Sequence, residues 1–304
     1  MTTFTTGPAD LLGNPRRYDD RMTLAAAEHA IAVYTRPADY GFAAMSAGFE
    51  GGTVIERGAA QVGIAWTPEV IVVSPRGSSQ VEDWLHNAAS VIRRRWRPPV
   101  MLGKVGAGFR RQAIHAGETV CEWVEHLIAD RPGAQLVIDG HSLGGAMVPL
   151  LVAQLAHTRR EAVAAGHRPQ LPTPRAAFMF CAPRVGNRQW SSWYDERFTY
   201  GSTPTWAVVN VVNGEPDLVT RVPRSAWGFW HVGRRAVLTG YPRLDGGPGC
   251  EVVFGEGAWE TFRAANPVGN LAAWRIISRT VTAARAHFGS GLLRVLRERA
   301  GSST

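Results

Sequence analysis

Gly140-His141-Ser142-Leu143-Gly144 sets a serine between two glycines, after the apolar run Leu136-Val137-Ile138 and before a long apolar stretch that begins at Gly145. On average glycine usage, Gly-x-Ser-x-Gly alone arises by chance about 0.1 times in a chain of this length. Its setting is more informative. A strained strand-to-helix turn exposes the serine oxygen, glycines let turn and helix pass closely, and a helix N-terminus favours negative charge developing at Ser142. A serine so placed attacks an acyl carbon. The competing reading is a glycine-rich turn with an idle serine.

A serine hydroxyl is a weak nucleophile near neutral pH. It requires a histidine to take its proton and a carboxylate to fix that histidine's tautomer. Around a strand–turn–helix nucleophile the chain order is serine, acid, histidine. The aspartates downstream are Asp195, Asp217 and Asp245. Asp217 follows the apolar run Trp206 to Val212 across Asn213-Gly214-Glu215-Pro216, which places it at a strand's carboxyl end, where catalytic groups gather in open α/β sheets. Asp217 is the acid on this reading and Glu215 the neighbouring alternative; a turn-former beside proline would explain the residue type but not its position. Of the histidines after Ser142, His157 and His167 precede the Asp217 strand, so the base is His231 or His287. Spacing leaves both open.

The elements that must position these groups alternate. Helical spacing runs over Leu24 to Tyr34, with Pro37 beyond its end. Strand-like runs follow at Gly63 to Trp66 and Val70 to Ser74, the latter β-branched and apolar as a strand buried on both faces should be. Arg76-Gly77-Ser78-Ser79 breaks that strand, and Val81 to Arg95 resumes a helical pattern before Pro98-Pro99. Arg111 to Asp130 is an amphipathic helix, Leu136 to Asp139 a strand, and Gly145 to His157 an apolar helix. Ala176 to Cys181 and Trp206 to Val212 are strands, Ala236 to Thr239 and Glu251 to Phe254 form a hairpin across Gly246-Gly247, and Leu271 to Leu296 closes the chain as helix. Strands alternating with helices predict a mostly parallel sheet with helices on both faces.

The bulk numbers fit one domain. A chain of 304 residues, 45% hydrophobic, can bury one large core, here read as a single domain over 24–304 behind a polar lead-in over 1–23. No stretch approaches the roughly 20 apolar residues of a bilayer-spanning helix, and Met1 to Asp20 has no apolar segment of an export signal. The expectation is a cytoplasmic protein without a transmembrane segment, with leaderless secretion as the other route. Cys121, Cys181 and Cys250 lie far apart, which argues against a zinc site and against a disulfide framework. No cofactor or metal is expected. The net charge of +8 is carried by arginine, since Lys104 is the only lysine. Arg93 to Arg97, Arg234 and Arg235, and Arg294, Arg297 and Arg299 are clusters suited to an anionic lipid surface, or else a solvated basic face. No nucleic-acid module accompanies them, so no nucleic-acid partner is expected.

Five blocks carry a more specific signal: V-I-D-G-H-S-L-G-G-A, R-G-S-S followed by D-W, F-C-A-P-R-V-G-N, V-V-N-G-E-P-D-L-V-T-R-V-P, and H-V-G. Their types and order resemble the fungal-type, class three lipase family, over about Leu24 to Leu296. The resemblance implies an α/β-hydrolase fold and carboxylic ester hydrolysis. It maps the family's acid onto Asp217 and its catalytic histidine onto His287, with Leu292 and Leu296 at the intervals of H-x4-Y-x3-L; His231 in the H-V-G block then becomes a supporting residue. The chain departs from the family at Leu292 for an aromatic, Ala286 for an acid, Pro75 for an aromatic, Gly106 for histidine and Thr220 for proline. None of these removes a triad member.

Charge on the substrate oxygen needs donors already aimed at it. One is the backbone N–H of Leu143, directly after the nucleophile. The resemblance supplies the other, the backbone N–H of Ser78 in the Arg-Gly-Ser loop. The same likeness makes Val81 to Arg95 the place of a lid helix, whose apolar side and arginine end suit a lipid interface. Trp227, Phe229 and Trp230 line an acyl pocket or seat the loop after Asp217. The predicted activity is hydrolysis of an acyl ester, an acylglycerol or related lipid, through an acyl-enzyme. The alternatives are acyl transfer and a catalytically silent, basic lipid- or protein-binding member of the fold.

Overall fold

The computed structural model describes residues 4–58, 60–77, 93–95, 103–212, 215–239, 251–254, 292–294 and 296–301. Its strands in chain order are β1 (Gly51–Arg57), β2 (Ala60–Trp66), β3 (Val70–Pro75), β4 (Arg93–Arg95), β5 (Lys104–Gly106), β6 (Gln135–His141), β7 (Ala176–Phe180), β8 (Thr205–Val212), β9 (Glu215–Pro216), β10 (Arg234–Thr239) and β11 (Glu251–Phe254). The main sheet runs β1-β2-β3-β6-β7-β8-β10-β11, with β9 folded back on β8. From β3 to β10 the neighbours are parallel, and antiparallel pairs β1-β2, β2-β3 and β10-β11 finish the two sides. The α/β-hydrolase architecture expected from the sequence is thus present: a mostly parallel sheet between helices.

Side-chain alternation sorts the core onto two faces, because successive strand residues point to opposite sides. Ile71, Val73, Leu136, Ile138, Ala177 and Met179 face α3 (Ala107–Asp130) and α4 (Leu143–Ala164). Val70, Val72, Val137, Ala176, Phe178 and Phe180 face α1 (Asp20–Ala32), α2 (Pro37–Ser46) and the helical residues 292–294 and 296–301. Leu292 and Leu296 are fully buried in this second layer. The α1 side is stitched by Glu28. Its buried carboxylate accepts Thr5 and Thr6 from before the helix, and Arg297 Nη2 at 2.7 Å from the far end of the chain.

Three features depart from the sequence expectation. Arg93–Arg95, read as the end of a helix, is strand β4 paired antiparallel with β5; backbone pairing to Lys104–Gly106 overrides the helical preference of arginine. The rest of that lid segment, 81–92, lies outside the described residues, as do the hairpin turn and residues 271–291. Pro37, read as a stop, also begins α2, since proline at a first helical position gives up an N–H that would have no partner there. Strand β1 and helix α5 (Arg188–Tyr194) carried too little periodicity to be anticipated.

Candidate active site

Strand β6 delivers the chain to Ser142, which holds φ 56° and ψ −124° and precedes α4 directly. For a residue with a Cβ this conformation costs on the order of 1–3 kcal/mol, and it persists because the surroundings enforce it. The Ser142 N–H donates to Phe180 O of β7 at 2.8 Å, and its carbonyl accepts the Ala146 N–H at 3.2 Å as the first turn of α4. The residue is 6% exposed, so the serine is almost wholly buried. Gly144 explains why the turn cannot carry side chains. A Cβ there would sit 2.1 Å from Pro75 O at the end of β3. Gly140 meets the same helix turn, with a Cβ falling 2.6 Å from the Gly144 carbonyl carbon.

Leu143 is the first residue of α4, so its N–H belongs to the helix turn whose donors have no helical acceptor. Those amides and the helix dipole make this corner a place for an oxyanion. The loop after β3 reaches the same corner: Gly77 lies close enough that a Cβ would be 3.3 Å from the Gly144 N–H nitrogen and 3.4 Å from Leu143 Cβ. Ser78, the expected second donor, lies outside the described residues.

Asp217 follows β9, whose pairing with Val211 and Val212 returns the chain to the carboxyl end of β8. Its Oδ1 accepts the Val219 N–H at 2.9 Å, and its carbonyl accepts the Thr220 hydroxyl at 2.6 Å, so it also caps the short 3-10 turn Leu218–Arg221. Burial pushes its carboxyl up to about 7; the Val219 N–H and the Cys181 thiol, both donors to the ionised form, oppose that rise. Glu215 pairs with Val212 within β9.

His231 is committed elsewhere. Its Nε2 lies 2.7 Å from Thr220 O, a carbonyl, so that nitrogen carries the proton and donates. Burial, then the charges of Arg184 and Arg235, push its pKa well below the ordinary histidine value and keep the ring neutral. His287 lies outside the described residues.

Three positioning groups had not been singled out from sequence. Arg184, in the F-C-A-P-R-V-G-N block, is buried and donates from its guanidinium to the carbonyls of Pro223, at 2.9 Å, and Arg221. Its own N–H donates to Val222 O at 2.8 Å, so one residue grips the chain that follows Asp217. Cys181, at φ 51°, caps β7 beside the acid. Tyr34, beyond α1, touches both the elbow and the Gly77 loop. Phe229 is buried, whereas Trp227 and Trp230 are exposed by 41% and 39%, with Arg224 and Arg188 over their rings. Phe229 therefore seats the loop, and the two tryptophans face outward.

The family model for lipase (class 3) matches residues 72–227, from β3 through the elbow to the turn after Asp217. Solved structures match as well. The Rhizomucor miehei lipase propeptide complex is 21% identical over 76% of this chain and 70% of its own, with a TM-score of 0.57. A lipase from Rhizopus microsporus var. chinensis is 18% identical over 82% of this chain and 83% of its own, at 0.57. A triacylglycerol lipase whose catalytic centre is described as a serine protease triad is 22% identical over 71% of this chain and 78% of its own, at 0.55. At those identities the structures establish the fold, and the family model, spanning more than half of the sequence, establishes the rest: this chain belongs to the class 3 lipase family and is a carboxylic ester hydrolase.

Proposed function

We propose that the chain hydrolyses acyl esters of the acylglycerol type through an acyl-enzyme on Ser142, with His287 as base, Asp217 as the acid that orients it, and the N–H groups of Leu143 and Ser78 as oxyanion donors. The observation that carries this reading is the elbow: a nearly buried serine held at positive φ at the start of α4. Support for the acid comes from its position at the β8 edge; support for His287 comes from His231, whose Nε2–H is already spent on Thr220 O. That a similar triacylglycerol lipase is described as having a serine protease triad supports a serine, acid and histidine acting together here.

In the first half-reaction Ser142 Oγ bonds to the ester carbonyl carbon while its proton passes to the histidine. The carbonyl electron pair moves onto oxygen, where backbone N–H groups stabilise it. Collapse expels the alcohol, which takes that proton. Water then repeats the sequence and releases the acid, restoring Ser142. If another alcohol replaces water, the product is a transferred ester.

A fluorophosphonate probe tests the nucleophile: it should add one covalent mass to the wild type and none to folded Ser142→Ala. A wild type that neither labels nor turns over short or long acyl esters would establish the silent, binding-only reading instead. The exposed Arg224–Trp227 and Arg188–Trp230 pairs support contact with an anionic lipid surface. Trp227→Ala with Trp230→Ala should weaken sedimentation with phosphatidylglycerol vesicles; unchanged binding would refute that contact.

A further inference from the structure

We infer that Tyr34 is a positioning residue of the ester-hydrolysing site, its hydroxyl fixing the separation between the nucleophile turn and the loop after β3. This rests on the reading of that corner as the oxyanion site. Tyr34 Oη donates to the carbonyl of His141, the residue before Ser142, at 3.1 Å. The same oxygen accepts the N–H of Gly77, the residue before Ser78, at 3.2 Å. One hydroxyl thus uses its donor on one side of the site and an acceptor lone pair on the other.

The ring is held independently of the hydroxyl. It meets the His141 imidazole edge-on, with centroids 5.9 Å apart, and Arg76 lies over it at 5.5 Å. It packs against the α1-side core, and the Tyr34 N–H donates to Ile31 O of α1 at 3.1 Å, so its backbone is anchored outside the loop it restrains. Gly77 confirms how close the approach is: a Cβ there would lie 2.4 Å from Tyr34 Oη. Only glycine lets the loop backbone come down onto the hydroxyl while staying within van der Waals reach of Leu143 and Gly144.

The consequence is catalytic. The two expected oxyanion donors, on Leu143 and Ser78, come from different segments of chain. Ser78 directly follows Gly77, whose N–H donates to Tyr34 Oη, and Leu143 lies two residues after His141, whose carbonyl accepts from it. Losing the hydroxyl removes a partner that the His141 carbonyl and the Gly77 N–H share. Oxyanion stabilisation depends on donors fixed before charge develops, and a misplacement of about 1 Å costs on the order of 100-fold in rate. The loss should therefore fall on kcat rather than on substrate binding.

The test is Tyr34→Phe in the full chain, which keeps the ring and removes only the oxygen. On a short p-nitrophenyl ester, kcat should fall about 10- to 100-fold with KM within twofold, and affinity for a trifluoromethyl ketone, which forms the tetrahedral adduct, should fall in parallel with kcat/KM. Thermal unfolding should still be cooperative. Gly77→Ala, which pushes on the same contact from the loop side, should give the same kcat-weighted defect and be less than additive with Tyr34→Phe; it also carries the test if the phenylalanine variant does not fold. A folded Tyr34→Phe with wild-type kcat, or fully additive losses, would overturn the inference while leaving Ser142 as nucleophile. A wild type without fluorophosphonate labelling overturns the active-site reading and this inference with it.

Discussion

Ser142 and Cys181 stand at the carboxyl ends of the adjacent parallel strands β6 and β7, and both hold a positive φ, 56° and 51°. The Ser142 N–H donates to Phe180 O, directly before Cys181, so the two strained residues share one corner of the sheet. Ser142 is the proposed nucleophile there. Cys181 turns its thiol to the Asp217 carboxyl and helps to keep that acid ionised against the effect of burial.

Cys181→Gly separates the thiol from the backbone strain, because glycine adopts the same φ without steric cost. A donor to the ionised carboxylate lowers its pKa, so losing the thiol must raise it further above about 7. Activity that needs ionised Asp217 rises with pH through that value, and the acid limb of kcat/KM should therefore move to higher pH in the variant. Stability should change little, since relief of strain offsets the lost hydrogen bond. A limb that stays in place would show that the thiol does not act on the acid.

Gly144→Ala should damage the elbow more than an alanine in a helix normally would. The new Cβ meets a backbone carbonyl oxygen, Pro75 O at 2.1 Å, which cannot rotate away as a flexible side chain can. Overpacking of this kind costs about 1–3 kcal/mol and here must move β3 against α4. Chemical denaturation should show that loss, with a fall in kcat larger than the stability change alone explains.

The sheet was legible in the sequence wherever strands are buried on both faces. Val70 to Ser74 and Leu136 to Asp139 read as near-continuous apolar runs, and both are central. The edge was not: in β1, Gly51-Gly52-Thr53 lacks an apolar pattern, and its position is set by pairing with β2. The places of Ser142 at a strand-to-helix turn and of Asp217 at a strand's carboxyl end were legible because turn chemistry and strand ends leave local marks. Tyr34 was not, since the role inferred for it depends on a hydroxyl meeting two backbone groups, 43 and 107 residues away in sequence. Arg184 lay in a recognised block, but only the fold shows that its guanidinium holds the carbonyls behind the acid.

His231→Ala and His287→Ala should part company. His231 donates Nε2–H to Thr220 O, and its removal deletes one hydrogen bond of the acid turn, worth about 1 kcal/mol, with a modest loss of rate. His287→Ala removes the proposed base and should lower kcat by about 10⁴-fold or more while the fold survives. Steady-state kinetics on one ester, with unfolding curves for both variants, decides the assignment. Retained activity in His287→Ala would return the base to His231.

Glu28→Ala should be the most destabilising of these substitutions although it lies outside the chemistry. The carboxylate is fully buried and accepts the Thr5 hydroxyl at 2.8 Å, the Thr6 hydroxyl at 2.7 Å and Arg297 Nη2 at 2.7 Å. It joins the start of the chain, α1 and the C-terminal helical residues in one network. Removing the carboxylate leaves the buried Thr6 hydroxyl and N–H without their acceptor, and each buried group so orphaned costs about 1–3 kcal/mol. Arg297 is 37% exposed, so Arg297→Ala leaves a carboxylate still bound by both threonines and should cost less. The ordering matters for function as well: Leu292 and Leu296, packed on this layer, lie five and nine residues after His287. Thermal denaturation of the two variants should rank Glu28→Ala well below Arg297→Ala, and equal midpoints would show that the ion pair, rather than the threonine cradle, holds the network together.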